Sequence, residues 1–123
     1  SAEDYLETIL MLTQRMGRVR SIDVVNELGY TKASVSIAMK KLRENGYIAV
    51  DGEGNLTLLE PGREIAERIY SRHRLLTHFF VQLGVDEEVA AEDACKAEHI
   101  LSEQTLEKIR EYALLHDAQD SVK

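Results

Sequence analysis

Tryptophan is absent from this chain of 123 residues, and proline and cysteine occur once each, as Pro61 and Cys95. A lone cysteine closes no internal disulfide, which excludes a small secreted scaffold held by bridges. One proline beside seven glycines excludes a collagen-like repeat, and a hydrophobic content of 44% is too high for a disordered chain. No apolar run reaches the roughly 18 residues of a membrane helix. No secretory signal pattern opens the chain, and Ser1 in place of Met implies a processed, truncated or tag-derived start. What remains is a mainly α-helical protein of one or two small domains, expected to be soluble, cytoplasmic and without a membrane partner. A chain this short buries only about two thirds of its unfolded surface, so pairing with a second copy favours it.

Acids outnumber bases by 22 to 15, for a net charge of −7, but the excess is unevenly placed. Residues 14–50 hold seven bases (Arg15, Arg18, Arg20, Lys32, Lys40, Lys41, Arg43) against three acids, whereas residues 86–123 hold four bases against eleven acids. An acidic protein with one basic block can grip a polyanion there and keep the rest in solvent.

Tyr5, Leu6, Ile9, Leu10, Leu12 and Met16 recur at three- and four-residue steps and predict a helix over 2–16, stopped by Gly17. Ser21 reads as the N-cap of a short helix ending at Gly29. Thr31 reads as the N-cap of a helix over 32–45 that turns Val35, Ala38, Met39 and Leu42 inward and closes at Gly46. Residues 47–50 and 56–59 read as strands around the turn Asp51-Gly52-Glu53-Gly54-Asn55. Pro61 opens helices predicted over 63–83, 87–101 and 103–115, with Asp86 and Ser102 as caps and a frayed end from Asp117.

Helix, tight turn, helix and hairpin in that order describe a winged helix-turn-helix. Its second helix is of a size to enter the DNA major groove. Thr31, Lys32, Ala33, Ser34 and Ser36 lie toward the exposed end of that helix, where hydroxyls and free backbone N–H groups suit phosphate oxygens. Lys40 and Lys41 add positive charge further along. Ala33 and Ile37 are each open to two readings, contact with thymine methyl groups or burial in the core. A domain of the same shape used for protein contacts is the competing reading.

A second constellation carries metal-ligand chemistry. Asp4 and Glu7 are i and i+3 on the first helix, and Cys95, Glu98 and His99 are i, i+3 and i+4 on a later one. His73 lies in the long helix between Arg72 and Arg74. Carboxylate, imidazole and thiolate together suit Fe2+, Zn2+, Co2+ or Mn2+ better than the oxygen-seeking Ca2+ or Mg2+. Each residue also has a plain structural role: Asp4 and Glu7 suit a helix N-terminus, and Cys95 suits a small apolar niche.

The run Glu3-Asp4-Tyr5-Leu6-Glu7, the winged helix, Arg72-His73-Arg74-Leu75-Leu76, Gly84-Val85-Asp86 and Asp93-Ala94-Cys95-Lys96-Ala97-Glu98-His99 together resemble the diphtheria toxin repressor and manganese transport regulator family. The resemblance covers essentially the whole chain. It implies a mainly α fold with a winged helix-turn-helix DNA-binding domain over 1–62 and an all-helical dimerisation and metal-binding domain over 63–123. It implies a metal-dependent repressor controlling metal homeostasis, not an enzyme, acting as a homodimer on palindromic double-stranded operators. Asp4 and Glu7 match ligand positions of the manganese-type branch. Cys95 matches the iron-type branch, where the manganese-type branch has a bridging Glu. Glu98 and His99 match ligands in both, and His73 matches a second-site ligand in both. Thr77 and Ala91 stand where the iron-type branch has further second-site ligands. The implied main site is Asp4, Cys95, Glu98 and His99, with a weaker second site near Glu7 and His73. A soft thiolate favours Fe2+, then Mn2+, with Zn2+ or Co2+ as substitutes in vitro. Metal would then tie the first helix to the helix of residues 87–101 and set the spacing of two recognition helices. The alternatives are a winged-helix regulator answering another ligand and, further off, a small metalloenzyme. Leu75, Leu76, Phe79, Phe80, Leu83, Val89, Ile100, Leu101, Leu106, Ile109 and Leu114 are the apolar positions from which a helical dimer interface would be drawn.

Overall fold

The structure, a computed structural model, describes residues 1–122, with side chains through residue 118. Its elements run α1 (Ala2–Met16), α2 (Ser21–Leu28), α3 (Lys32–Glu44), β1 (Ile48–Val50), β2 (Leu56–Leu58), α4 (Glu60–Gln82), α5 (Glu87–Ala97) and α6 (Glu103–Val122). They form two units, Ser1–Arg68 and Ile69–Lys123, divided within α4. Lys123, the last residue of the segment expected to fray, lies outside the described residues; α6 itself continues to Val122, well past the expected end near residue 115.

In the first unit, α1 is enclosed all round over Leu6–Leu10, as expected for a helix whose consecutive positions are buried. Its Leu6, Ile9, Leu10 and Leu12 share a core with Val24 of α2, Val35, Met39 and Leu42 of α3, and Ile48, Leu56 and Leu58 of the hairpin. The α2 cap differs from expectation. Ser21 is the first helical residue and Arg20 the N-cap; the Asp23 carboxylate accepts from the Arg20 N–H at 2.9 Å, so the acid three residues on ties the entry. Thr31 caps α3 as expected, accepting from the Ser34 N–H at 3.1 Å. Gly46, at φ 78°, allows the chain to turn so that the Tyr47 N–H reaches the Leu42 carbonyl at 2.9 Å.

The two strands pair antiparallel in the register Ile48–Leu58, Ala49–Thr57, Val50–Leu56. Each is one residue shorter at its outer end than expected, although the Leu59 N–H still donates to the Tyr47 carbonyl at 2.9 Å. Val19 and Arg20 join the hairpin's outer edge: the Leu56 N–H donates to the Val19 carbonyl at 2.7 Å, and Arg20 bridges Asn55. The hairpin tip is organised by one side chain. Asp51 Oδ1 accepts from the Glu53 and Asn55 N–H groups, each at 2.9 Å, and Oδ2 accepts from Asn55 Nδ2 at 3.0 Å. These bonds hold the Asp51 carboxyl below its ordinary value of 3.8. At the start of α4, Gly62 lies against backbone: a Cβ there would stand 2.2 Å from the Tyr47 carbonyl oxygen.

In the second unit, Leu76 of α4, Ala94 of α5 and Leu106 of α6 form the buried centre, flanked by Leu75, Phe80, Ala97, Leu101 and Ile109. Of the apolar residues considered for a dimer interface, Leu75, Leu76, Phe80, Leu101, Leu106 and Ile109 belong to the chain's own core, while Leu83, Val89, Ile100 and Leu114 are exposed. Ser102 caps α6 through the Thr105 N–H at 3.2 Å. The helix expected over 87–101 ends at Ala97, and residues 98–100 form a turn.

Candidate metal centre and nucleic-acid interface

The early end of α5 places the first ligand. Glu98 keeps helical angles (φ −58°, ψ −24°) and its N–H still donates to the Ala94 carbonyl at 3.0 Å. Its side chain is fully buried. His73 of α4 brings Nδ1 to 3.2 Å from Glu98 Oε2, and His99 brings Nε2 to 3.5 Å from Oε1. Neither approach is aligned as a hydrogen bond, so both oxygens of a carboxylate cut off from water accept none. Such a group is costly to fold around. Two imidazoles beside two carboxylate oxygens that accept no hydrogen bond are the donor types of a divalent transition metal. The residues present therefore fit such an ion.

Arg72 is the residue that sequence reasoning passed over. Its Nη1 donates to the Glu98 backbone carbonyl at 3.2 Å, and its Nη2 pairs with the Glu103 carboxylate. One guanidinium thus pins the turn carrying Glu98 and His99 from the residue next to His73. Adjacency to His73 was the only local signal; the partners lie 26 and 31 residues away. The Thr77 hydroxyl donates to the His73 carbonyl at 2.8 Å, and Ala91 has no donor atom in its side chain, so neither position repeats the further second-site ligands of the iron-type branch.

Cys95 lies one turn before Glu98 on α5. It is exposed, and among the described residues no set of ligand atoms gathered within 4.8 Å includes its sulfur. At about 100° per residue, a position three before Glu98 lies roughly 60° around the helix from it. Glu98 is therefore buried while Cys95, at the edge of the same face, is exposed.

In the first unit, α1 carries Asp4, partly exposed and accepting from Ser1 Oγ at 3.1 Å, and Glu7, which is buried. Between them Tyr5 packs edge-on against Tyr30, with centroids 6.0 Å apart, in the turn just before α3. Burial, then Tyr30 and Asp4, push the Tyr5 phenol above its ordinary range.

The candidate nucleic-acid face is the outer side of α3. Thr31, Lys32, Ala33, Ser34, Ser36, Lys40 and Lys41 are all exposed, with Arg43 beside them. Burial in the core, one of the two readings for Ala33 and Ile37, does not hold: both are exposed, and Ile37 is 59% so. Only Val35, Met39 and Leu42 turn fully inward, with Ala38 half-buried.

A family model described as the iron dependent repressor N-terminal DNA binding domain matches residues 1–56. A second, the iron dependent repressor metal binding and dimerisation domain, matches residues 59–115. The chain belongs to the iron-dependent repressor family. As a member it is a DNA-binding, metal-dependent transcriptional regulator and not an enzyme. It is 36% identical over 112 residues to an uncharacterised HTH-type transcriptional regulator of Methanocaldococcus jannaschii, covering 89% of this chain and 90% of that one. It is 32% identical over 123 residues to the HTH-type transcriptional regulator MntR of Bacillus subtilis, covering 100% of this chain and 87% of that one. Among solved structures, a manganese-dependent transcriptional repressor in complex with manganese superposes with a TM-score of 0.83 at 28% identity over 92% of this chain. The chain spans about half of that structure's length, 52%. Among the described residues no helix is long and apolar enough to cross a membrane.

Proposed function

We propose that this iron-dependent repressor family member represses metal-homeostasis genes by binding a palindromic operator as a homodimer in the cytoplasm, with Fe2+ as the favoured effector and Mn2+ next. Zn2+ or Co2+ would substitute in vitro. The observation that carries the reading is Glu98, a fully buried carboxylate whose two oxygens accept no hydrogen bond and face His73 and His99. The ligand set we assign is Asp4, Glu7, His73, Cys95, Glu98 and His99. When bound, the ion supplies positive charge that offsets the repulsion among three carboxylates. Cys95, exposed one turn before Glu98 at the edge of the same face, would supply the thiolate that tilts preference toward iron.

The chain's own residues then explain how ligand capture reaches DNA. Asp4 and Glu7 flank Tyr5 on α1, and Tyr5 packs on Tyr30 immediately before the Thr31 cap of α3. Holding α1 holds the entry of the recognition helix. Exposed Leu83, Val89, Ile100 and Leu114 support pairing with a second copy, and a twofold pair presents two such helices to half-sites about 34–36 Å apart. Thr31, Lys32, Ser34, Ser36, Lys40 and Lys41 would meet phosphates, and Ala33 the groove.

The test is a gel shift of the full chain on duplexes enriched from a random library with Mn2+ present, repeated anaerobically with Fe2+ and with a chelator. Binding is expected only with metal, with a steep loss as salt rises, and not for Glu98→Ala or His99→Ala. Equal binding in the chelator refutes the reading.

A further inference from the structure

We propose that Ile37 reads a thymine methyl group in the major groove and is the side chain that sets a base preference in each half-site. The inference rests on the DNA-binding reading above and goes beyond it by naming the residue and the base feature.

Three observations converge. First, Ile37 is 59% exposed in a helix whose other large apolar residues, Val35, Met39 and Leu42, are buried. Second, its position is central. With 3.6 residues per turn, Ala33, Ile37, Lys40 and Glu44 form the stripe farthest from the buried line, with Ser36 and Arg43 on one side and Ser34 and Lys41 on the other. An isoleucine at the middle of the outward face contributes nothing to the unit's core, and a β-branched side chain there is a poorer helix former than Lys or Glu. Third, the polar residues around it are of the phosphate-contacting kind. The Thr31 and Ser34 hydroxyls are hydrogen-bonded to each other at 2.9 Å, and Lys32, Lys40, Lys41 and Arg43 supply positive charge.

The groove offers one feature that an aliphatic side chain recognises and a hydrogen-bonding one does not: the thymine C5-methyl group. Ile37 has no donor or acceptor, so it cannot recognise guanine, adenine or cytosine by their edge hydrogen bonds. Ala33, one turn earlier on the same stripe, keeps the approach open because its methyl group is the smallest side chain that still excludes water there. The preferred base opposite Ile37 is therefore thymine, chosen by apolar contact.

The experiment takes duplexes enriched by the full chain from a random library in Mn2+. Each thymine of the best duplex is then replaced singly by deoxyuridine, which removes only the methyl group. Wild-type affinity is expected to fall about fourfold at one symmetry-related thymine per half-site, the effect of one buried methyl. Ile37→Ala, an exposed substitution that leaves the fold intact by circular dichroism, should bind the thymine and deoxyuridine duplexes equally. Ile37→Gln should move the enriched base at that position toward adenine. Insensitivity to deoxyuridine at every position overturns the inference while leaving DNA binding standing, as does an undiminished methyl preference in Ile37→Ala. Failure to enrich any sequence overturns the DNA-binding reading itself and the inference with it.

Discussion

Replacing Glu98 by Gln separates a ligand from a structural carboxylate. The substitution keeps shape and removes the charge. In the folded protein the Glu98 oxygens accept no hydrogen bond, so no bonded network is broken. Metal-free stability is therefore expected to change by no more than about 1 kcal/mol, the range of a single exchanged polar contact. If the carboxylate were instead one half of a structural ion pair with His73, breaking that buried pair would cost about 3–5 kcal/mol. The metal-loaded state distinguishes further. At an ion concentration of about 100 times Kd, binding stabilises the wild-type chain by about 2.7 kcal/mol. For a domain of this size that corresponds to a rise in Tm of about 10 °C. Thermal melts by circular dichroism, with and without Mn2+, should show that rise in the wild type and a rise of no more than about 2 °C in Glu98→Gln. A variant that keeps the full metal-induced rise, or one that loses about 3 kcal/mol or more without metal, refutes the reasoning.

Cys95→Glu should move metal preference from Fe2+ toward Mn2+ in anaerobic competition titrations; an unchanged preference removes the thiolate from the ligand set. Gly62→Ala should lower the urea midpoint at unchanged m. The added Cβ meets the Tyr47 carbonyl at 2.2 Å, where backbone cannot step aside, and the cost of about 1–3 kcal/mol exceeds the roughly 1 kcal/mol that Ala gains in a helix. The hairpin tip should be acid-sensitive in a defined direction. The Asp51 carboxyl is held below 3.8, so its bonds are fully present above that value and are lost as pH falls through the lowered one. Amide shifts of Glu53 and Asn55 followed by NMR should titrate together with a midpoint below 3.8, and a midpoint at or above it contradicts the assignment.

The winged helix was legible because its signals are local. Apolar spacing in α1 and α3, the Thr31 cap and the Gly46 exit lie within a few residues of the elements they define. Where a longer-range or competing partner decides, the reading slipped. Ser21 looked like the cap of α2, but the Asp23 carboxylate two residues on takes the Arg20 N–H. The helix over 87–101 looked continuous in spacing, yet it stops at Ala97, and the Glu98 carbonyl is taken by Arg72 from 26 residues away. The pairing of Val19 and Arg20 with the hairpin's outer edge depends on residues more than 30 positions apart and has no local pattern.

The candidate metal centre shows the same division more sharply. The spacing of Cys95, Glu98 and His99 suggested one shared face. Spacing alone, however, does not distinguish a position at the middle of a buried line from one at its flank. Glu98 lies within the buried line and Cys95 beyond its edge, so one is sealed from water while the other meets it. A sealed carboxylate without hydrogen bonds weakens a fold, and an apolar side chain of similar volume would serve packing better. Its presence between His73 and His99 therefore argues for a purpose other than stability. The Arg72 clamp argues the same way, because it fixes the backbone of the one turn that holds both Glu98 and His99. Ligands held in position before the ion arrives lose little conformational entropy on binding it, which is what an effector site that must respond to small changes in metal concentration requires.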